Sequence, residues 1–169
     1  MNNMKVIDIV GDNYTGRWTK VRIGCRGIVL EEDRILLTYE TKTGVWMIPG
    51  GGREEGETDK ECCVREYSEE TGYLIRPSEC VLEIDEYYGE EKYVDRYFFG
   101  RITGRTELNL TGAEQRAGMG PRWLPVEQAL DVFSHHSDGD CEEMTRGLYL
   151  REHTALLECL RLPESGRML

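Results

Sequence analysis

The sequence predicts a layered α+β domain, and three observations predict it. Short runs of β-branched and aromatic residues, each bounded by turn residues, read as strands. Segments with apolar residues at helical spacing and recognisable caps read as helices. The two kinds of segment mix without the regular alternation of a parallel βαβ sheet. At 169 residues the chain is long enough for one domain with a real core and cramped for two.

Element by element, the first 20 residues are rich in Asn, Gly and Asp and read as a strand or hairpin extension. The main domain is expected over residues 21–162, with a C-terminal tail at 163–169. Residues 21–30 (VRIGCRGIVL) form a strand, Glu31-Glu32-Asp33 a turn, and residues 34–39 (RILLTY) the partner strand. Trp46-Met47-Ile48 leads into Pro49 and three glycines, a stop followed by backbone freedom. Residues 58–71 read as a helix: Thr58 with Glu61 is a capping-box pattern, and Gly72 closes the far end. Strands follow at 74–88 and 93–102, joined by the turn 89–92. A Gly/Thr/Ala-rich loop is expected over 103–121, then a short strand at Trp123-Leu124 and a short helix at 126–133 after Pro125. Residues 141–160 read as a longer helix with Met144, Leu148, Ala155 and Cys159 near one face.

Composition excludes several classes of function. Thirty-two Asp+Glu against 21 Lys+Arg give a net charge of −11, which opposes binding to bulk nucleic acid or an anionic membrane surface. No apolar run approaches the roughly 20 residues of a membrane helix, and MNNMKVIDIV lacks the apolar core of a signal peptide. The six cysteines contain no CxxC pair, so reduced thiols and a cytoplasmic location are the expectation.

The informative stretch is residues 51–73, GGREEGETDKECCVREYSEETGY. Its eight acids stand against three basic residues. On a helix, Glu66, Glu69 and Glu70 share one face, because i, i+3 and i+4 are neighbours. Three like charges there repel, and acids near a helix C-terminus also oppose the macrodipole. Either the face is simply solvated or something positive sits on it, and oxygen clusters of this kind suit Mg²⁺ or Mn²⁺.

The spacing of the whole segment resembles the Nudix box, G-x5-E-x7-R-E-U-x-E-E-x-G-U with U apolar. Gly51, Glu57, Arg65, Glu66, Glu69, Glu70 and Gly72 fill every fixed position, while Tyr67 and Tyr73 stand at the two U positions. The lead-in WMIPGG and the segment RWLPVEQAL are also similar to Nudix domains. The resemblance implies the Nudix fold, a mixed sheet sandwiched between helices (an α/β/α sandwich). It also implies hydrolysis of a nucleoside diphosphate linked to another group, by water attacking phosphorus with Mg²⁺ assistance and Mn²⁺ as a substitute.

The resemblance also implies roles. Glu66, Glu69, Glu70 and the carbonyl of Gly50 are the implied metal ligands, and Glu57 with Arg65 an ion pair that fixes the loop to the helix. Glu66 or Glu69 is the implied general base, with Glu114 as an accessory base or ligand from the later loop. Substrates in view are nucleoside triphosphates, dinucleoside polyphosphates and nucleotide sugars; a non-catalytic ligand-sensing Nudix module is the alternative. Many relatives pair, so a homodimer is a candidate, with the first 20 residues available for exchange.

Arg22 and Arg26 share a face of the first strand and either reach a substrate phosphate or meet solvent. Trp46 either stacks on a base or packs in the core, and the same choice applies to Tyr87, Tyr88 and Tyr97.

Overall fold

The computed structural model describes residues 4–167; residues 1–3 and 168–169, the outer ends of the expected extension and tail, lie outside the described residues. The strands are β1 (Lys5–Val10), β2 (Lys20–Ile28), β3 (Leu30–Glu31), β4 (Arg34–Glu40), β5 (Trp46–Met47), β6 (Gly50–Gly52), β7 (Tyr73–Tyr88), β8 (Glu91–Arg105) and β9 (Met119–Pro125). The helices are α1 (Asp59–Thr71), α2 (Gly112–Ala117), α3 (Val126–Ser134), α4 (Glu143–Leu160) and α5 (Glu164–Arg167), with a 3₁₀ turn at His135–Ser137.

Five strands make a mixed sheet in the order β1-β7-β8-β2-β6. β1 runs parallel to β7 and β2 parallel to β8, while β7–β8 and β2–β6 are antiparallel. A smaller sheet joins β3, β4, β5 and β9 around β4. The N-terminal segment thus contributes a single edge strand rather than a hairpin, with Ile7 and Ile9 packed against the core. Irregular register in β7 falls next to Pro77, which has no N–H for the ladder.

Successive strand residues face opposite sides of a sheet, and β8 is apolar on both. Tyr97 and Phe99 join one core, while Phe98 joins the other. Helix α1 covers the Phe98 side with Cys62, Cys63 and Tyr67, against Cys25, Val29 and Ile75. Helix α4 covers the opposite side with Tyr149, Ala155, Leu156 and Cys159, and α3 adds Ala129 and Phe133. The result is the expected α+β layering, a mixed sheet between helices.

Two expectations change. The loop expected over 103–121 contains helix α2 and the start of β9. Its signal is local: Thr111 and Glu114 repeat the capping-box pattern of α1, and Gly118 closes the helix at φ 71°. Met144 is 89% exposed rather than core-facing, because it lies in the first turn of α4, ahead of the buried stretch from Tyr149 onward.

Candidate active site

The site is built by α1 and the glycine strand that precedes it. Thr58 accepts from the Glu61 N–H at 3.2 Å while the Glu61 carboxylate accepts from the Thr58 N–H at 2.8 Å, so the start of α1 is fixed at both groups. Gly72 ends it in the left-handed conformation, φ 74°, donating to Ser68 O at 2.9 Å. With both ends set, Arg65, Glu66, Glu69 and Glu70 hold fixed places on the last two turns.

Arg65 organises the acids. It donates to both oxygens of Glu57, through Nε and, at 3.0 Å, through Nη2. Its Nη1 reaches Glu66 at 2.8 Å and Glu69 at 3.3 Å, and Nη2 also meets Gly52 O at 3.0 Å. One guanidinium therefore gathers three carboxylates and ties the loop to the helix. Hydrogen bonding from Arg65 is the main influence on Glu57 and holds its carboxyl below the ordinary value.

Glu70 points inward instead. It is 4% exposed and accepts from the Gly50 N–H at 3.1 Å. Burial pushes its carboxyl up to about 8, with Glu66 and Glu114 adding repulsion against the help of Gly50 N–H and Arg26. Burial likewise raises Glu66, and Glu69 and Glu114 add to the rise against the pull of Arg65. Gly51 leaves room for the Glu66 carboxyl: a Cβ there would lie 2.5 Å from it, so the carboxyl would have to move. At Gly50 a Cβ would lie 2.3 Å from Cys25 O.

Glu114, from α2, faces this cluster closely enough to raise both Glu66 and Glu70, and its carboxyl caps its own helix at Thr111 N–H, 2.8 Å away. The donors are all oxygens, crowded and short of positive charge, a set that fits a hard divalent cation. Among the described residues, no three acid, His or Cys groups already stand in a coordinating arrangement. The side chains are instead arranged around Arg65 and the Gly50 N–H.

The remaining candidates separate. Arg26 is not a solvent-facing side chain: it is buried, donating to Asp95 at 2.8 Å and to Ile48 O at 3.1 Å. Arg22 is exposed and lies beside Gly52, its Nη2 4.0 Å from where a Cβ on Gly52 would be. The half-buried Trp46 packs on Tyr39 with ring centroids 4.5 Å apart, and its backbone N–H donates to the Tyr149 hydroxyl. Tyr97 is buried with its hydroxyl on Glu152, while Tyr67 fills the core beneath α1 with its hydroxyl unpartnered among the described residues.

Sequence reasoning missed Glu152 and Arg151. Glu152 accepts from the Ile48 N–H at 2.5 Å, from Tyr97 and from Arg151. With Arg26 on Ile48 O, this clamps the peptide groups two residues before Gly50. No local signal marks such a pair on a helix whose partners lie 55 and 104 residues away.

A family model described as the NUDIX domain matches residues 19–140. The chain is 41% identical over 51 residues to the Nudix hydrolase YvcI of Bacillus subtilis, covering 30% of this chain and 32% of that one. It is 33% identical over 98 residues to the 8-oxo-dGDP phosphatase NUDT18 of Mus musculus, covering 54% and 29%. The chain thus spans about a third of the length of each of these relatives. A NUDIX hydrolase structure from Nitrosomonas europaea superposes with a TM-score of 0.57 at 18% identity, covering 85% of this chain and 97% of that one, which is a likeness of fold.

Proposed function

The chain belongs to the Nudix family, and from that premise we propose that it is a Mg²⁺-dependent pyrophosphohydrolase acting on a nucleoside diphosphate linked to another group. The observation that carries this reading is the set of carboxylates on the last two turns of α1: Glu66 and Glu69 meet Arg65, and Glu70 meets the Gly50 N–H. Glu66, Glu69, Glu70 and the Gly50 carbonyl would hold the cation, with Mn²⁺ able to replace it. When bound, the cation neutralises phosphate oxygens and makes a water more acidic.

The chain's own residues supply position and proton transfer. Glu57 and Arg65 lock the glycine strand to α1, so the carboxylates keep their places when a polyanion arrives. Glu66 or Glu69 takes the proton of the attacking water, and Glu114 assists from α2. The leaving diphosphate oxygen departs in line with the attack. All six cysteines are free thiols, four of them buried, which supports a reducing, cytoplasmic setting. Among the described residues no helix is long and apolar enough to cross a membrane.

The test is a panel with Mg²⁺: nucleoside triphosphates, 8-oxo nucleotides, dinucleoside polyphosphates, ADP-ribose and nucleotide sugars, followed by phosphate or pyrophosphate release. Turnover that disappears on chelation is the expected result. Tight binding of one ligand with no turnover of any would replace hydrolysis with ligand sensing.

A further inference from the structure

Strand β6 is an edge strand made only of glycine, and its two faces meet opposite chemistry. A side chain at Gly51 would strike the Glu66 carboxyl at 2.5 Å, so that face belongs to the acids of α1. A side chain at Gly50 would strike Arg26 Cγ at 2.5 Å, and one at Gly52 would approach Arg22, so the other face belongs to arginines. Only the thickness of a backbone divides them, and no strand pairs with the outer edge of β6 among the described residues.

The arginine face opens into a cleft of about 300 Å³ lined by Arg22, Gly24, Arg26, Tyr93, Asp95 and Arg151. Ligand pockets are mostly apolar with a few placed polar groups. This wall instead holds three guanidiniums against one carboxylate. That carboxylate is already taken: Asp95 pairs with Arg26 at 2.8 Å and Arg151 at 3.6 Å. Glu86 and Glu152 neutralise Arg151 from behind, outside the cleft lining. Arg22 is exposed and enters no ion pair among the described residues. Arg151 is 9% exposed, and its Nη2 has no acceptor among the described residues.

Unmatched donors of this kind call for a ligand rich in acceptors, and guanidinium matches phosphate with two parallel hydrogen bonds. A flat base would find one aromatic wall, Tyr93, whose hydroxyl is tied to Glu91. The geometry points to this cleft as an anion subsite for a further phosphate on the group joined through the diphosphate, with Arg22 the main contact and Arg151 behind it. The inference rests on the hydrolysis reading above and narrows its substrate class to a phosphorylated sugar or a longer polyphosphate.

The test compares matched substrates with Mg²⁺: ADP-ribose against ADP-ribose 1″-phosphate, and diadenosine diphosphate against the tetraphosphate. The expected result is a kcat/KM about tenfold higher for the more phosphorylated member of at least one pair, carried by KM. The pair that responds tells sugar phosphate from polyphosphate. Arg22→Ala brings the ratio close to one, and Arg22→Lys keeps part of it. A wild-type ratio near one in both pairs, or a ratio that survives Arg22→Ala, overturns the subsite. Calorimetry with inorganic tripolyphosphate in chelator separates the two readings. If no compound is hydrolysed, hydrolysis falls, and the subsite stands only if wild type binds tripolyphosphate about tenfold more tightly than Arg22→Ala.

Discussion

The two faces of the main sheet carry similar charged residues and use them in opposite ways. On the α1 face, one guanidinium, Arg65, meets Glu57, Glu66 and Glu69, and all four groups keep partial contact with water. On the α4 face, Arg26 and Arg151 interlock with Asp95, Glu86 and Glu152, and every member is nine-tenths buried or more. Counter-charge decides the difference. The first cluster has acids to spare and a route to solvent, so a cation can join it. The second is close to balanced, so most of it holds the Ile48–Gly50 turn in place, and what it offers the cleft beside Arg22 is the remaining Arg151 donor. Even the carboxyls respond differently: burial leaves Glu66 and Glu70 raised, whereas for Asp95 the pull of Arg151 and Arg26 outweighs burial and keeps it low.

The contrast breaks most visibly at the acids. Glu66→Gln and Glu70→Gln are each expected to lose on the order of 10²–10³-fold or more in turnover at saturating Mg²⁺, the scale of one preorganised electrostatic group. Their thermal melts should stay close to wild type. Near-normal turnover in either variant removes the metal-site assignment.

On the opposite face the loss moves from turnover to stability. Glu152→Ala leaves Arg151 Nε, the Tyr97 hydroxyl and the Ile48 N–H without their acceptor. Breaking a buried pair costs about 3–5 kcal/mol, which for a chain of this size lowers the melting temperature by about 10 °C. A melt within a degree or two of wild type would show that the buried network is dispensable.

Gly51→Ala sharpens the comparison, because it touches the acid face with little change of volume. The added methyl would meet the Glu66 carboxyl at 2.5 Å. Displacing that carboxyl by about 1 Å is expected to cost about 10²-fold in kcat. Unchanged kcat would mean that the position of Glu66 is not critical.

A smaller effect concerns acid stability at the start of α1. Burial pushes the Asp59 carboxyl up, but hydrogen bonds from Arg96 at 2.7 Å and Arg53 at 2.6 Å outweigh it and hold it low. A group lowered on folding stabilises above its ordinary value of 3.8 and loses that contribution as pH falls through the lowered value. Melting followed from pH 6 down to about pH 2 should therefore fall less steeply for Asp59→Asn than for wild type. Identical acid limbs would contradict the pairing. Smallest of all, Thr58→Ala should cost about 1 kcal/mol by removing the helix cap, read as a shift of about 3 °C.

What was legible in the sequence follows the same division. Helix α1 was readable because its start, end and acids lie within fifteen residues, Thr58 to Gly72, and local spacing encodes all of them. Helix α2 carried the same capping signal, yet it is six residues long inside a polar stretch with no apolar face. The α4-face network was illegible, because residues 26, 48, 86, 95, 97, 151 and 152 meet only after the sheet is ordered. Arg26 on a strand looks identical whether it ends in solvent or against Asp95. Trp46 was ambiguous for the same reason, since Tyr39 and Tyr149 decide its surroundings.

The central claim is that the α1 face takes a divalent cation through Glu66 and Glu70, and metal binding tests it without any choice of substrate. Mn²⁺ is titrated into wild type and into the Glu66→Gln/Glu70→Gln double variant, with free Mn²⁺ followed by electron paramagnetic resonance. Saturable binding to wild type that is lost in the folded double variant is the predicted result. Equal binding by both proteins, or none by wild type, would contradict the account.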